Sequence, residues 1–263
     1  MTRVLSGAVL VLLAVALVWF APPLLFLVAA EALVTLAVIE YLAIVNAHDV
    51  RVPGAAGVAA ALVSLTFSQT LLARTIPPDV VLLSVTMALL AMVLPLWRGG
   101  KDALTLAGAS VLPILYIGLP IGTLIAVRET RGPQALFLLM LTVMVSDSAQ
   151  YYTGRLFGRR PLAPAISPKK TIEGAAGGFV FGTALLAILG NWWLPAVPIA
   201  FRVALGLVVV ALGIAGDLFE SMLKRSAGVK DSGGLIPGHG GVLDRIDALL
   251  FTAPIYYVVL KYV

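Results

Sequence analysis

The sequence predicts an all-α integral membrane protein, a polytopic bundle of about nine transmembrane helices that forms a single domain over residues 1–263. The chain is 60% hydrophobic and only 12% charged, whereas a soluble domain carries about 25% charged residues. Its mean hydropathy is +1.04. Apolar segments recur along the whole chain with short polar breaks, and a helix of about 20 apolar residues crosses a bilayer core about 30 Å thick. This composition leaves no room for a separate soluble domain.

Nine apolar segments account for the predicted helices. The first follows a single basic residue, Arg3, and has the length and charge of a secretory signal peptide. It continues into Ala-Pro-Pro without a small-residue cleavage site, so we expect a retained helix. Cysteine is absent, which excludes disulfides and thiolate chemistry. The predicted segments are 4–20, 24–46, 55–73, 79–97, 104–127, 135–157, 174–193, 199–219 and 244–262.

Basic residues in the loops predict the orientation of the chain. With a cytoplasmic N-terminus, thirteen lysines and arginines face the cytoplasm and five face outward, which agrees with the positive-inside rule. This orientation places Val263 outside and puts two charge-rich loops, 155–173 and 220–243, on the cytoplasmic face. The expected location is the bacterial inner (plasma) membrane. Its net charge of +5 is assigned to these loops and not to a nucleic-acid partner.

Residues 1–130 are expected to form a helical scaffold and the lipid-facing part of the bundle. Two carboxylates, Glu31 and Glu40, lie inside the second segment. An ionisable residue in hydrocarbon costs several kcal/mol unless it faces protein or water. Structural and functional interpretations of Glu40 remain equally open, and Glu31 is compatible with a place near the outer surface.

Residues 135–263 carry most of the polar chemistry. Asp147, Gln150, Tyr151 and Gly154 fall at i, i+3, i+4 and i+7 of one segment, so they share a face. A polar stripe within a membrane helix points inward, either to pack against another helix or to serve a function. Because an ionisable residue in such a stripe favours function, Asp147 is a candidate.

The loop 155–173 combines five basic residues with three prolines. Its end, residues 167–174, leads directly into the seventh segment. The unpaired backbone N–H groups and positive dipole of that helix, with Lys169 and Lys170, predict an anion site. A basic loop attracted to anionic lipid headgroups is the alternative, and the loop alone does not decide between them. The small residues 174–178 predict close helix packing.

Residues 217–247 gather nine charged residues and six glycines between two almost purely apolar segments. The glycine-rich stretch is unsuited to a helix, and it lets backbone N–H groups approach a phosphate closely. The chain then re-enters the membrane with Asp244 and Asp247 about one helical turn apart. The residues that share one face before the glycines are Asp217, Glu220, Ser221 and Lys224.

Carboxylates beside lysines, arginines and glycine backbone suit Mg²⁺ and polyphosphate. The chain has no histidine and cysteine cluster for zinc, no Gly-x-x-x-x-Gly-Lys-Ser/Thr loop and no Gly-x-Ser-x-Gly elbow. These observations indicate a metal-assisted phosphoryl or nucleotidyl transfer at the membrane surface. A transporter lined with charges remains an equal alternative on spacing alone.

A long motif identifies a family that the sequence resembles. The motif is Ser221-x-x-Lys224-Arg225-x4-Lys230-Asp231-x-Gly233-x2-Ile236-Pro237-x-His239-Gly240-Gly241-x2-Asp244-Arg245-x-Asp247. It is similar, without a gap, to the signature of the phosphatidate cytidylyltransferases, also called CDP-diacylglycerol synthases. Residues 147–158 and 167–174 resemble two other blocks of that family, with departures at the uncharged positions Gln150 and Ile172. The resemblance rests on residues 147–247, because the first half matches only as an array of apolar helices.

The resemblance implies a reaction between CTP and phosphatidic acid that gives CDP-diacylglycerol and pyrophosphate. It implies that Asp217 and Asp244 hold Mg²⁺, with Asp147 and Asp231 as second-rank ligands. A second, monovalent ion such as K⁺ is compatible with this site. The family also implies a homodimer in the lipid bilayer.

The same resemblance implies roles for the remaining polar residues. His239 would bind a phosphate or base, carry a proton, or order the loop, and these roles stay open. Asp247 and Glu220 would pair with Arg245, Lys224 or Arg225 to orient them. The residues expected to neutralise phosphates are Lys224, Arg225, Lys230 and Arg245. The residues expected to bind substrate are Ser167, Lys169, Lys170, Thr171, Ser221, Gly240 and Gly241.

Three other classes of function compete with this one, the first being another CTP-using membrane enzyme. A polyprenol or phytol kinase, or an archaeal-lipid cytidylyltransferase, shares the CTP and metal chemistry but differs in its lipid acceptor. An anion transporter with broken helices would predict internal repeats in the two halves, and the sequence has none. A CDP-alcohol phosphotransferase would need an Asp-Gly-x2-Ala-Arg…Gly-x3-Asp-x3-Asp motif, which is absent.

Overall fold

The computed structural model describes residues 2–47, 52–68, 103–234 and 240–263, together with Leu83, Thr86 and Leu90. These residues form helices and one short hairpin. The helices are α1 (Thr2–Phe20), α2 (Pro23–Asn46), α3 (Ala55–Leu65), α4 (Ala103–Pro113), a π-helical turn (Ile114–Gly118), α5 (Leu119–Arg131), α6 (Pro133–Phe157), α7 (Ile172–Trp193), α8 (Ile199–Ser226) and α9 (Leu243–Tyr262). The strands are β1 (Pro161–Ala163) and β2 (Ser167–Thr171).

The protein is an integral membrane protein, and the part of the chain that the structure describes is all-α apart from this hairpin. In the described part, 5 helices are long and apolar enough to cross a bilayer. They are α2, the helix through α4 and α5, α6, α7 and α8. Two shorter apolar helices, Gly7–Phe20 and Ala55–Leu65, accompany them. Most of the predicted segment 79–97 lies outside the described residues, although Leu83, Thr86 and Leu90 are helical.

Three predicted helices differ from those observed. The third was expected to run to residue 73 but ends at Leu65, where the N–H groups of Thr66 and Phe67 bond three residues back in a tight turn. The fifth is interrupted by the π-helical turn, which follows Pro113. Because proline has no N–H, it frees the carbonyl of Ala109. The Tyr41 hydroxyl donates to that carbonyl at 2.8 Å.

The third difference is in α8, which continues to Ser226 and not to residue 219. This extension places Ser221, Lys224 and Arg225 on a helix, so the predicted loop 220–243 begins later than expected. Two of the added residues are buried, Glu220 and Lys224. They pair with each other at i and i+4, and this pairing lets a helix continue past its apolar segment.

The predicted loop 155–173 contains an antiparallel hairpin, because residues 155–157 continue α6 and residues 172–173 begin α7. Pro161 pairs with Thr171 and Ala163 pairs with Ser167. Strand geometry turns successive side chains to opposite sides. Lys169 is therefore exposed, whereas Lys170 is partly buried against α8.

The small residues at the start of α7 pack closely on α6, as predicted. A Cβ on Gly174 would lie 2.8 Å from the Gln150 carbonyl oxygen, and a Cβ on Gly178 would lie 2.6 Å from Gln150 Cγ. A larger residue at either position would push the helices apart. The beginning of α7 therefore lies against the polar face of α6.

α9 belongs to both of the large apolar clusters in the described part. Tyr256 packs with Leu138 and Leu186 of α6 and α7, whereas Leu250 packs with residues of α2 and α5. Its C-terminal end is held by Arg131, which donates to the Leu260 carbonyl. Its N-terminal end lies beside the C-terminal part of α8, where Lys224 contacts Asp244. The polar residues of the second half gather at that end of the bundle.

Candidate active site

An ion pair joins the hairpin to α8. Lys170 projects from β2 and contacts the Asp217 carboxylate through its ammonium group. The Ser221 hydroxyl lies one helical turn further along α8 and donates to Asp217 Oδ1 at 3.4 Å. The structure thus brings together three predicted site residues from two separate segments.

A second set of charges joins α8 to the first turn of α9. Lys224 Nζ donates to Glu220 Oε2 at 2.8 Å on its own helix. It also contacts Asp244 Oδ1 across the interface. All three side chains are almost fully enclosed, and Glu220 is only 1% exposed. The predicted pairing of Glu220 with Lys224 is confirmed.

The other carboxylate oxygen of Asp244 gathers the glycine-rich loop. Asp244 Oδ2 accepts from the Gly241 N–H at 2.8 Å and from the Ser232 N–H and hydroxyl, each at 3.0 Å. Gly240 has a φ of 76°, and a Cβ there would lie 2.7 Å from the same oxygen. Only glycine fits both the backbone conformation and this close approach.

Asp147, Asp217 and Asp247 are near enough to repel one another electrostatically. Asp147 Oδ1 accepts from the Gln150 side-chain amide at 3.1 Å. Asp247 Oδ1 accepts from the Ala248 N–H at 2.8 Å. Asp247 was predicted to pair with an arginine or lysine, but it forms no ion pair among the described residues. This end of the bundle therefore concentrates negative charge beside two lysines.

These carboxylates offer the hard oxygen donors that Mg²⁺ prefers. No three acidic or histidine side chains in the described ranges are arranged as a ready metal cage. Mg²⁺ commonly takes one or two carboxylates from a protein and completes its shell with phosphates and water. The donor set fits that mode of binding.

Several predicted site residues lie at the surface. Arg225 donates to the Val229 carbonyl at 3.3 Å. His239 lies outside the described residues. The other exposed members of the predicted set are Lys169, Lys230, Asp231 and Arg245.

The remaining predicted residues of the hairpin have structural contacts. The Thr171 hydroxyl oxygen accepts from the Gly174 N–H at 3.1 Å and caps α7. Ser167 is partly buried in β2. Glu173 Oε2 accepts from the backbone N–H groups of Arg159 and Arg160, which holds the hairpin against α7. At least one N–H group in the first turn of α7, that of Gly174, therefore has a hydrogen-bond partner within the protein.

Two residues near the site were missed or left undecided by sequence reasoning. Glu40 of α2 is buried and accepts from Ser232, Val242 and Leu243. The sequence feature that pointed to Glu40 was the presence of a carboxylate inside an apolar segment. Tyr116 lies in the π-helical turn with its ring against Phe219 and Phe251. Its place beside α8 and α9 depends on a helix irregularity that no local pattern revealed.

Comparisons with known proteins identify relatives of this chain. A sequence profile described as the cytidylyltransferase family matches residues 1–263. A protein named phosphatidate cytidylyltransferase in Thermotoga maritima is 41% identical over 162 residues, which cover 60% of this chain and 60% of that protein. Proteins of the same name in Bacillus subtilis and a Synechocystis species are 39% identical over 155 residues and 49% identical over 127 residues.

These alignments are partial. The Bacillus subtilis match covers 58% of this chain and 58% of its relative, and the Synechocystis match covers 47% of this chain and 42% of its relative. The chain thus spans no more than about 60% of the length of these curated relatives.

Proposed function

Because the chain belongs to the cytidylyltransferase family, we propose that it transfers CMP from CTP to phosphatidic acid and releases pyrophosphate. The product is CDP-diacylglycerol. The observation that carries this proposal is that two ion pairs, Lys170–Asp217 and Lys224–Asp244, lie at one end of a membrane bundle. The names of the relatives support the choice of substrates.

In this reaction an ionised phosphate oxygen of the lipid attacks the α-phosphorus of CTP. A new P–O bond forms while the bond from the α-phosphorus to the bridging oxygen of pyrophosphate breaks. The attacking oxygen carries a negative charge already, so no general base is required. Because two anions must meet, the protein has mainly to neutralise charge and align the reactants.

The proposed substrate contacts come from cationic side chains at this end of the bundle. Arg225, Lys230 and Arg245 are exposed and form no ion pair within the described ranges. We propose that they contact the triphosphate of CTP or the phosphate of the lipid. Lys170 and Lys224 are held by carboxylates and would share their charge with phosphate oxygens. Ser167, Lys169, Thr171, Ser221, Gly240, Gly241 and His239 complete the proposed substrate-binding set.

Asp217 and Asp244 are the proposed ligands for Mg²⁺, with Asp147 and Asp231 in second rank. Magnesium bound there would screen the α-phosphate and the leaving pyrophosphate. The Asp217 carboxylate accepts from one lysine and one hydroxyl, so lone pairs remain for a cation. A monovalent ion such as K⁺ is proposed as a second occupant of this acidic region.

The proposed site lies at headgroup depth on the cytoplasmic face of the bacterial inner membrane. Phosphatidic acid would enter sideways from the inner leaflet while CTP arrives from the cytosol. The N-terminus is proposed to be cytoplasmic and the C-terminus outside, and the enzyme is proposed to act as a homodimer. The positive-inside distribution of basic residues supports this orientation.

The test is turnover by detergent-purified protein, with CTP, phosphatidic acid and Mg²⁺ each omitted in turn. We expect lipid-linked CMP and pyrophosphate in equal amounts, and only when all three are present. The Asp217→Asn variant should lose this product while remaining folded. Product formation without phosphatidic acid would reject the proposed acceptor.

A further inference from the structure

Glu40 lies in the half of the chain that was expected to be scaffold. It nevertheless contacts the glycine-rich loop and the start of α9, the two segments that surround Asp244. Its Oε1 accepts from the Val242 N–H at 2.8 Å. Its Oε2 accepts from the Leu243 N–H at 2.8 Å and from the Ser232 hydroxyl at 3.0 Å. The side chain is buried.

These contacts fix the first turn of α9. Val242 and Leu243 immediately precede Asp244, and the first N–H groups of a helix have no partner within the helix. A carboxylate at this end also interacts favourably with the helix dipole. Because Glu40 binds two consecutive N–H groups, it sets the direction in which α9 begins and hence where Asp244 points.

Ser232 links the two carboxylates directly. Its hydroxyl lies 3.0 Å from both Glu40 Oε2 and Asp244 Oδ2. A hydroxyl has one proton to donate, but the Ser232 N–H also donates to Asp244 at 3.0 Å. The loop therefore stays bound to Asp244 whichever carboxylate receives the hydroxyl proton.

Two glycines make room for this arrangement. A Cβ on Gly233 would lie 2.9 Å from Glu40 Oε1, and a Cβ on Gly241 would overlap Glu40 Oε2 and Ser232 Oγ. The glycine-rich loop thus packs around the Glu40 carboxylate. Glu31, in the same helix, has a different contact, since it accepts from the Ser64 hydroxyl of α3 at 2.6 Å.

We infer that Glu40 is a positioning residue for Asp244, acting through Ser232 and the first turn of α9. The effect of Glu40 on catalysis rests on the proposed nucleotidyl transfer. The first half of the chain then contributes to the reaction and does not only anchor the protein in lipid.

The experiment compares Glu40→Gln with the matched control Glu31→Gln in detergent-purified protein. Glutamine keeps one oxygen but turns an NH₂ group toward a backbone N–H. We expect the kcat of Glu40→Gln to fall about 10–100-fold, the usual cost of losing a residue that orients a ligand, with KM for both substrates nearly unchanged. Glu31→Gln should keep the wild-type kcat.

Hydrogen exchange supplies a measurement that does not depend on turnover. In Glu40→Gln, the backbone amides of residues 241–248 should exchange faster, while those of α6 and α7 keep their wild-type rates. Faster exchange throughout α6 and α7 would show that Glu40 supports the whole bundle, and the inference would fail. An unchanged rate at 241–248 together with wild-type kcat would also overturn it.

Ser232→Ala keeps the inference testable if Glu40→Gln does not fold. It removes the hydroxyl link but leaves the two N–H bonds to Glu40, so a smaller loss of kcat is expected. If Glu40→Gln does fold, the double variant should lose less than the product of the two single losses, because both residues act in one network. Independent effects would contradict the inference. If wild type does not use phosphatidic acid but the local exchange effect persists, the proposed function fails and the positioning role of Glu40 stands.

Discussion

Lys224 lies between Glu220 and Asp244, contacting one carboxylate on its own helix and one on the first turn of α9. Its ammonium group is the cation that lets both carboxylates remain buried. Removing one member of a buried ion pair costs about 3–5 kcal/mol, because it leaves an uncompensated charge. Lys224 therefore stabilises the protein in addition to its proposed contact with phosphate.

Replacing Lys224 with methionine should therefore destabilise the protein as well as inactivate it. The expected loss is about 3–5 kcal/mol of unfolding free energy, measured as a lower midpoint of thermal unfolding in detergent. Arg225→Met changes the neighbouring exposed residue and should leave the midpoint near that of wild type. Equal midpoints for the two variants would contradict the buried position of Lys224.

Lys170→Met should reduce activity strongly and thermal stability only slightly. The Lys170–Asp217 pair is partly exposed, with side-chain exposures of 22% and 33%, so losing it should cost less stability than losing the more buried pairs of Lys224. We expect thermal stability close to wild type but a large loss of CMP transfer, since Lys170 is a proposed phosphate ligand. Lys169→Met, on the exposed side of the same strand, should lose less activity. A stable Lys170→Met variant with full activity would remove Lys170 from the site.

Gly241→Ala tests the close packing of the loop. A Cβ at residue 241 would overlap Ser232 and Glu40, whereas a Cβ on Gly234 would meet nothing within 4 Å. Overpacking of this kind costs about 1–3 kcal/mol, and here it should also displace Asp244. We expect Gly241→Ala to lose activity and Gly234→Ala to retain it, measured as product formed per folded protein.

Metal removal tests the proposed role of Asp217. Chelation should abolish CMP transfer, and added Mg²⁺ should restore it. A conservative Asp217→Glu variant that retains measurable turnover should require a higher Mg²⁺ concentration for half-maximal rate. A normal Mg²⁺ requirement in that variant would assign the metal to other carboxylates.

The apolar pattern predicted α2, α6, α7 and α9 to within about two residues, because lipid requires long uninterrupted apolar helices. The same criterion predicted that α8 ends at residue 219, whereas the helix continues to Ser226. The polar residues Glu220 and Lys224 continue that helix by pairing inside the protein, which hydropathy does not detect.

The predicted site was recoverable where its residues are close in sequence. Spacing placed Asp217 and Ser221 on one face of α8, and the structure joins them. Glu40 could not be assigned in this way, because its partners Val242 and Leu243 lie about 200 residues further along the chain. Only the packing of α2 against the start of α9 brings these residues together.

The most direct test follows the radioactive label of CTP in the presence of phosphatidic acid and Mg²⁺. CTP labelled at the α-phosphorus should give a labelled lipid, and CTP labelled at the γ-phosphorus should give labelled pyrophosphate and an unlabelled lipid. This pattern would establish CMP transfer. A lipid labelled from the γ-phosphorus would instead identify a kinase and contradict the proposed function.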